Sequence, residues 1–128
     1  MSQSKTVLVI DDPSLVRMYY RAALESAGYR VEEALNGIEA LEKLPGLGAD
    51  LLIVDVNMPQ MDGLSFLRTL RRSPGAGASV PALVTSTESR EHDFLAARAA
   101  GANFYLVKPI DRDALVAHVA ALCGVRHG

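Results

Sequence analysis

Five polar residues stand at the ends of short apolar runs, where their side chains have useful chemistry. Asp11 and Asp12 come directly after the first run, and Asp55 comes after the third. Thr85 follows the fourth run and Lys108 follows the fifth. Three carboxylates brought together repel one another, and a divalent cation relieves that repulsion. Oxygen atoms are the ligands that Mg²⁺ prefers, and a carboxylate can also act as a nucleophile in covalent catalysis.

Asp12 and Asp55 can supply the one or two carboxylates that Mg²⁺ usually takes, with Asp11 acting through water. The absence of His and Cys at these points disfavours zinc or copper. An ammonium group and a hydroxyl beside Mg²⁺ are the parts needed to hold a phosphoryl group during transfer, and Lys108 and Thr85 supply them. Each residue alone has an ordinary structural explanation, such as a helix cap for Asp12. Together they indicate a phosphate and Mg²⁺ pocket centred on Asp55, whose task the spacing leaves open.

The elements that must position these residues alternate between β-rich apolar runs and amphipathic helical patterns. The predicted strands cover 6–10, 29–34, 51–54, 80–84 and 104–107. A helical pattern follows each of them, the last over 111–122. Five successive βα units favour an α/β fold, a doubly wound, five-stranded parallel sheet with helices on both faces. Ligands bind such sheets at the carboxyl ends of the strands, where all the polar residues above fall.

Capping and turn signals place the ends of these elements. Asp12 is expected to cap the first helix with Pro13 in its first position, and Gly28 is expected to follow its end. Asn36 is expected to cap the second helix, and Pro81 to leave the start of the fourth strand poorly paired. Apolar residues recur at helical spacing in the first helix: Leu15, Met18, Tyr19, Ala22 and Ala23.

Composition limits the class of protein. The chain has 128 residues, 49% of them hydrophobic, and a net charge of −2, which fits one domain over 1–128 without an output domain. That charge argues against binding nucleic acid through bulk electrostatics, so we interpret the basic cluster Arg68, Arg71 and Arg72 as a solvated helix face. The single cysteine, Cys123, excludes an internal disulfide and is interpreted as a small apolar core residue.

The ends of the chain and its histidines add expectations about location. No signal-peptide pattern and no apolar run long enough to span a membrane are found, which predicts a soluble, reduced, cytoplasmic protein without membrane contact. His92, His118 and His127 lie away from the strand ends, and we interpret them as surface residues that donate no phosphate.

Four segments resemble motifs of the receiver domain of bacterial two-component response regulators, in their single-domain CheY-like form. They are Val-Ile-Asp-Asp at 9–12, Val-Asp-Val-Asn-Met-Pro-Gln-Met-Asp-Gly at 54–63, Thr-Ser at 85–86 and Gly-Ala-Asn-Phe-Tyr-Leu-Val-Lys-Pro at 101–109. The likeness runs from about Lys5 to the end of the chain. It implies a flavodoxin-like (βα)5 fold with strand order 2-1-3-4-5 and a cis bond between Lys108 and Pro109.

The resemblance also implies how the acceptor works. Asp55 would take a phosphoryl group from a phosphohistidine of a sensor histidine kinase or a histidine phosphotransfer protein. Mg²⁺ would be held by Asp12, Asp55 and the backbone carbonyl of Asn57, while Asp11 contacts its waters. Beyond its own phosphorylation and slow dephosphorylation, such a domain is not expected to be an enzyme.

The signal is implied to pass through three further residues. Lys108 would pair with the phosphoryl oxygens, and Thr85 would hydrogen-bond the phosphoryl group and draw its loop inwards. Tyr105 would then turn from an exposed to a buried position, changing the surface of helix 4, strand 5 and helix 5. Because these contacts exist in one conformer only, the modification would shift the population towards it.

The pathway stays open. A chain that ends at Gly128 predicts output through a protein partner in trans, and a monomer is expected. The role could be chemotaxis or flagellar-motor control, a phosphorelay step, or a phosphate sink that drains a shared kinase.

Two alternatives compete with the receiver interpretation. Phosphatases of the haloacid dehalogenase type also use a strand-end Asp with Mg²⁺, but they carry a second Asp two residues later as acid and base, where this chain has Asn57. A nucleotide- or flavin-binding module on a similar fold would need a phosphate-binding loop after the first strand. Here Asp11, Asp12 and Pro13 stand in its place, and their charge repels phosphate unless a metal is present.

Overall fold

A computed structural model describes residues 4–123 as five parallel strands alternating with five α-helices. The strands are β1 (Thr6–Ile10), β2 (Arg30–Ala34), β3 (Leu51–Asp55), β4 (Ala82–Ser86) and β5 (Phe104–Val107). The helices are α1 (Ser14–Ser26), α2 (Gly37–Lys43), α3 (Gly63–Arg72), α4 (Glu91–Ala100) and α5 (Arg112–Cys123). Two short 3₁₀ helices, Leu44–Gly46 and Ala76–Ser79, lie in the connections that follow α2 and α3.

The sheet has the order β2-β1-β3-β4-β5, which confirms the fold class and the strand order that the family resemblance implies. Neighbouring strands pair in parallel, and Asp55 at the end of β3 lies opposite Thr85 in β4. On the other side of β4, Ser86 pairs with Val107, the residue before Lys108. The register therefore brings three of the predicted polar positions to one edge of the sheet.

The core has two layers because the sheet is covered on both faces. Every residue of β1, β3 and β4 is buried, as expected for central strands of a parallel sheet. Phe66, Leu67 and Leu70 of α3 pack on one face, while Leu24 of α1 and Leu115 of α5 pack on the other. The central strands are thus held on both sides, and their carboxyl ends have a rigid support.

The predicted strands are confirmed, with corrections at their ends. β4 begins at Ala82 and not at residue 80, because Pro81 has no N–H to donate and only its carbonyl joins the sheet, accepting from the Leu52 amide at 2.9 Å. As a result, Thr85 lies inside the strand and not after it. Asp55 is likewise the last residue of β3, and β2 begins one residue after Tyr29.

The expected start of α1 is wrong by one position. Pro13 is the N-cap and the helix begins at Ser14, so Asp12 is not the capping residue and Pro13 is not the first helical residue. The other caps are confirmed. The Asn36 side chain accepts a hydrogen bond from the Glu39 amide at 2.9 Å, and Gly28 follows α1 with a φ of 97°.

The helical spacing in α1 correctly predicts a helix, but of the five apolar residues that carry the pattern only Ala23 is buried. Leu15 and Met18 are 76% and 61% exposed, and Tyr19 is also exposed. The residues of α1 that reach the core are Tyr20, Ala23 and Leu24. Since the sequence is apolar on more than one side of this helix, its spacing fits two orientations.

The basic cluster of α3 is only partly the solvated face that we expected. Arg68 and Arg72 are exposed, but the guanidinium of Arg71 is half-buried and donates to backbone carbonyls of two other segments. It reaches Val80 O and Gly101 O, each at 2.7 Å. Arg71 therefore ties the end of α3 to the segment before β4 and to the end of α4.

The remaining residues singled out in the sequence lie away from the strand ends. His92 is exposed, whereas His118 is half-buried against the ring of Phe104, with centroids 4.7 Å apart, so its interpretation as a surface residue is wrong in part. His127 lies outside the described residues. Cys123 is partly buried at the edge of the core between α1 and α5. Within residues 4–123, no helix has both the length and the apolar character needed to cross a membrane.

Candidate functional site

Asp55 lies at the centre of a site at the carboxyl edge of the sheet. It is the last residue of β3, and the amide of the next residue, Val56, donates to Thr85 O at 3.0 Å. The side chain is largely buried, with an exposed fraction of 9%. Backbone pairing between β3 and β4 therefore extends past Asp55. This pairing fixes the Asp55 backbone, and with it the base of the carboxylate side chain, relative to β4.

Lys108 reaches this carboxylate from the end of β5. Its Nζ lies 3.1 Å from Asp55 Oδ1 and 3.2 Å from Asp11 Oδ2. Burial favours the neutral amine, but the negative charges of Asp11 and Asp55 outweigh it and raise the pKa of Lys108 above its ordinary value. Lys108 is therefore a fixed positive charge between two carboxylates from different strands.

Asp11 is the most buried acid of the site, with only 1% of its surface exposed. Burial and the negative charge of Asp55 raise its pKa from 3.8 to about 6, although Lys108 acts in the opposite direction. Its Oδ1 atom is buried without a hydrogen-bond partner among residues 4–123. A buried carboxylate oxygen with a free lone pair is a position where a cation is favoured.

Thr85 is fully buried, and its hydroxyl oxygen also lacks a hydrogen-bond partner within the described part of the chain. Native structures leave few buried polar atoms unpaired, because each costs the desolvation of that group. The two unpaired atoms lie on opposite sides of Asp55, because Asp11 directly follows β1 and Thr85 lies in β4, the two strands that flank β3. The site therefore offers one unused acceptor and one unused hydroxyl beside the Asp55–Lys108 pair.

The structure brings Asp11, Asp55 and Lys108 into contact, but it leaves Asp12 and Asn57 on exposed loops. Among residues 4–123, no three Asp, Glu, His or Cys side chains are gathered closely enough to form a ready-made metal centre. Mg²⁺ needs less than that, since it keeps several waters and takes one or two protein carboxylates. The oxygen-only donors and the unpaired Asp11 Oδ1 fit Mg²⁺ better than zinc.

Gly63, at the start of α3, permits a close approach to the acceptor. A Cβ at this position would lie 2.3 Å from the backbone oxygen of Asp55, so only glycine fits there. The Asp62 side chain caps the helix by accepting from the Ser65 amide at 2.8 Å. In the sequence, Gly63 stands out only as the last residue of the motif at 54–63. Its adjacency to a helix cap is the signal that could have identified the contact.

Arg17 of α1 holds the loop that carries the acidic pair, a role that the sequence analysis missed. Its Nη1 donates to Asp11 O at 2.8 Å and also to Asp12 O. Its Nε donates to Glu33 Oε1 of β2 at 2.7 Å. The guanidinium thus fixes two backbone carbonyls of the loop to a neighbouring strand. The spacing of acidic residues gives no indication of this contact.

Tyr105, predicted to move between exposed and buried positions, is half-buried in this structure. Its hydroxyl donates to Glu88 O at 2.9 Å, and its ring packs edge-on against Phe94 with centroids 4.7 Å apart. The side chain therefore links β5 to the β4–α4 loop and to α4.

A parallel sheet of this order, with an acidic edge and a lysine that bridges two strands, defines a receiver-type signalling domain. The family model "Response regulator receiver domain" matches residues 7–120, and the chain belongs to that family. Such a domain is a signalling domain of two-component systems and not a conventional enzyme, and receiver domains interact with sensor histidine kinases.

Individual relatives agree with this family. Response regulator MprA of Mycobacterium tuberculosis is 40% identical over 119 residues, which is 93% of this chain and 50% of that protein. The chain thus spans about half the length of the curated relatives it matches. The chemotaxis protein CheY4 of Vibrio cholerae is 33% identical with a TM-score of 0.88, covering 94% of this chain and 99% of that one.

A third relative bears on the metal. The receiver domain of the sensor histidine kinase PA1611 from Pseudomonas aeruginosa is 28% identical with a TM-score of 0.86, covering 95% of this chain and 99% of that one. Its structure is described with a magnesium ion coordinated in the active-site cleft.

Proposed function

We propose that this chain is a phosphorylation-dependent switch in which Asp55 accepts a phosphoryl group from a phosphohistidine. The observation that carries the proposal is the position of the Asp55 carboxylate, 3.1 Å from the ammonium of Lys108 and in register with the unpaired hydroxyl of Thr85. One side chain is a nucleophile, and the other two can hold the oxygens of the group it receives.

The residues present fit a Mg²⁺ ion. Asp12, Asp55 and the backbone carbonyl of Asn57 would hold it, with Asp11 contacting its waters. Bound there, the ion would neutralise negative charge on the incoming phosphoryl group. The buried, unpaired Oδ1 of Asp11 supports this assignment, because it is an unused acceptor to which a metal-bound water could donate.

The chemistry is a displacement at phosphorus. A carboxylate oxygen of Asp55 forms a bond to phosphorus as the bond from phosphorus to the donor imidazole nitrogen breaks, and the electron pair leaves with the imidazole. Lys108 would exchange its present contact with Asp55 for one to the phosphoryl oxygens. Thr85 would donate its hydroxyl proton to another of those oxygens in a hydrogen bond.

The signal follows from the new contacts. The phosphoryl group of an aspartyl-phosphate carries about 1.5–2 negative charges, in place of the single charge of the free carboxylate. Contacts to Thr85 and Lys108 made only in one conformer favour that conformer, and each 1.4 kcal/mol or so changes its population about tenfold. Tyr105 is linked to the β4–α4 loop through Glu88 O, so a movement of that loop would move its ring.

α4 and β5, the elements that Tyr105 links, also form a surface suited to a protein partner. Large apolar side chains of α4 and β5 are exposed there: Phe94, Leu95, Phe104 and Val107. A patch of this kind is typical of interaction sites. We propose that phosphorylation changes the surface of α4, β5 and α5 for a protein partner. Motor or chemotaxis control, a phosphorelay step and a phosphate sink would all use such a contact.

The proposal is tested by incubating the protein with acetyl phosphate and Mg²⁺ and following its intact mass. We expect the addition of one phosphoryl group, and no addition in Asp55→Asn. Asp50→Asn is a matched control, since Asp50 stands just before β3, at the opposite end of the same strand. Undiminished labelling of Asp55→Asn would refute the assignment. Repeated release of phosphate from small phosphomonoesters would indicate a phosphatase instead.

The donor is identified by phosphotransfer. Purified histidine kinases and histidine phosphotransfer proteins, labelled on His, are mixed with the protein for short times. One donor is expected to transfer much faster than the rest. Equal and slow transfer from all of them would contradict a dedicated phosphohistidine partner.

A further inference from the structure

Tyr19 of α1 reaches across to the connection that carries Lys108. Its hydroxyl donates to Ile110 O at 2.7 Å, although the two residues are 91 positions apart in the chain. The ring itself is partly exposed, so this contact is not a by-product of core packing. Ile110 is two residues after Lys108, between Pro109 and the start of α5.

Among residues 4–123, other hydrogen bonds hold the connection from β5 to α5 at its two ends, and the Ile110 side chain packs against the core layer beneath α1. The Lys108 amide donates to Ser86 O at 2.7 Å, which fixes the connection to β4. At the other end, the side chain of Asp111 accepts from the Ala114 amide at 3.2 Å and caps α5. Pro109 has no N–H to contribute. Within the described part of the chain, the Tyr19 hydroxyl is therefore the side-chain group that hydrogen-bonds the middle of this segment.

α1 is fixed to the core next to Tyr19, so the Tyr19 side chain extends from a well-packed helix. The next residue, Tyr20, is only 2% exposed, and its ring packs in the core layer beneath α1. The two rings lie 5.8 Å apart at an angle of 55°. Both tyrosines line a cavity of about 610 Å³ between α1 and the β5–α5 connection, together with Lys108 and Ile110. One ring is fixed in the core, while its neighbour reaches the loop.

We propose that Tyr19 is a positioning residue for Lys108: it holds the carbonyl of Ile110 and so keeps the Lys108 ammonium directed at Asp55. Its contribution to the reaction acts through Lys108 and rests on the proposed phosphoryl transfer to Asp55. Mg²⁺ binding should not depend on it, because Asp12, Asp55 and Asn57 lie outside the β5–α5 connection, at the ends of β1 and β3.

The variant Tyr19→Phe removes the hydroxyl and keeps the ring. We expect phosphorylation by acetyl phosphate to slow about three- to tenfold, as the loss of one net hydrogen bond allows. The Mg²⁺ affinity, measured by calorimetry on unphosphorylated protein, should be unchanged. Tyr29→Phe is the control, since Tyr29 is a buried tyrosine that precedes β2 at the opposite edge of the sheet. It should leave the phosphorylation rate unchanged.

A double-mutant cycle separates positioning from a general structural effect. In a Lys108→Ala background, Tyr19→Phe should cause no further loss of rate, because its effect passes through the missing ammonium. In the unphosphorylated protein, Tyr19→Phe should also speed hydrogen exchange of the amides over 110–113. A wild-type labelling rate in Tyr19→Phe, or the same fold loss with and without Lys108, would overturn the proposal.

The two proposals fail in different ways. If the wild-type protein takes up no phosphate, the proposed function fails, and hydrogen exchange still tests the Tyr19 anchor. If the wild type is phosphorylated and Tyr19→Phe changes neither its rate nor exchange over 110–113, only the positioning role is wrong.

Discussion

Replacing Asp11 with Asn should stabilise the metal-free protein while weakening its response to Mg²⁺. Asp11 is buried, and its pKa is raised from 3.8 to about 6 by burial and by Asp55. Keeping that carboxylate ionised at neutral pH therefore destabilises the folded state. An asparagine of the same shape carries no charge, although its amide is also buried. We expect a net gain of about 1–3 kcal/mol in the free energy of unfolding at pH 7.

The pH dependence has a definite sign. Because the pKa of Asp11 is higher in the folded than in the unfolded state, the folded protein binds more protons between about pH 4 and 6. Its free energy of unfolding therefore falls as the pH rises through that window. Asp11→Asn lacks this fall, so the stability gap between the variant and the wild type should be small near pH 4 and full at pH 7.

The assay is urea unfolding followed by circular dichroism, in a chelator and at several pH values. Asp12→Asn is the matched control, because Asp12 is the adjacent acid but is exposed, and its replacement should change stability by less than about 0.5 kcal/mol. Adding Mg²⁺ should then stabilise the wild type more than Asp11→Asn. A variant no more stable than the wild type at pH 7, or a gap that does not change with pH, would refute the electrostatic argument.

Three further substitutions test contacts around the site. Gly63→Ala places a Cβ against a backbone oxygen and should cost about 1–3 kcal/mol in urea unfolding, whereas Gly46→Ala, with open space around it, should be tolerated. Arg71→Met leaves two partly buried carbonyls without this donor and should cost about 1–2 kcal/mol by the same measurement. Arg21 lowers the pKa of Glu33, so Glu33→Gln should lose about 0.5–1 kcal/mol at pH 7, and less as the pH falls through the lowered pKa of Glu33.

Each of these three predictions would be contradicted by a specific result. Equal stability of the two Gly→Ala variants would mean that the close approach at Gly63 is not constraining. An Arg71→Met variant as stable as the wild type would show that water replaces the guanidinium. A Glu33→Gln deficit that persists in strong acid would point to packing and not to charge.

The placement of the site could be predicted because it follows from topology. Buried apolar runs alternating with helices predict a parallel sheet, and the carboxyl ends of parallel strands share one edge. Asp55, Thr85 and Lys108 were expected there for that reason, and they lie there. The strand order itself came from the resemblance to a family, since alternation alone does not determine which strands are neighbours.

The contacts that the sequence did not reveal are made to backbone atoms. Arg17 and Arg71 donate to carbonyls of other segments. Every residue has a backbone carbonyl, so the residue type of the acceptor does not identify it as a partner. Arg71 therefore resembled an ordinary exposed arginine. The Tyr19 hydroxyl is a third case, because its partner is again a carbonyl. The prediction that Asp12 caps α1 was wrong because residue type does not fix where a helix begins. Asp is a good capping residue, but Pro13 occupies the N-cap position.

The most direct test of the central claim is to find the phosphorylated atom. After incubation with acetyl phosphate and Mg²⁺, borohydride reduces an aspartyl-phosphate to homoserine and leaves free carboxylates unchanged, and peptide mass spectrometry then locates the product. We predict homoserine at position 55 and at no other acid, with none formed in a chelator. Homoserine at Asp11 or Asp12, or its absence from a phosphorylated sample, would contradict the account.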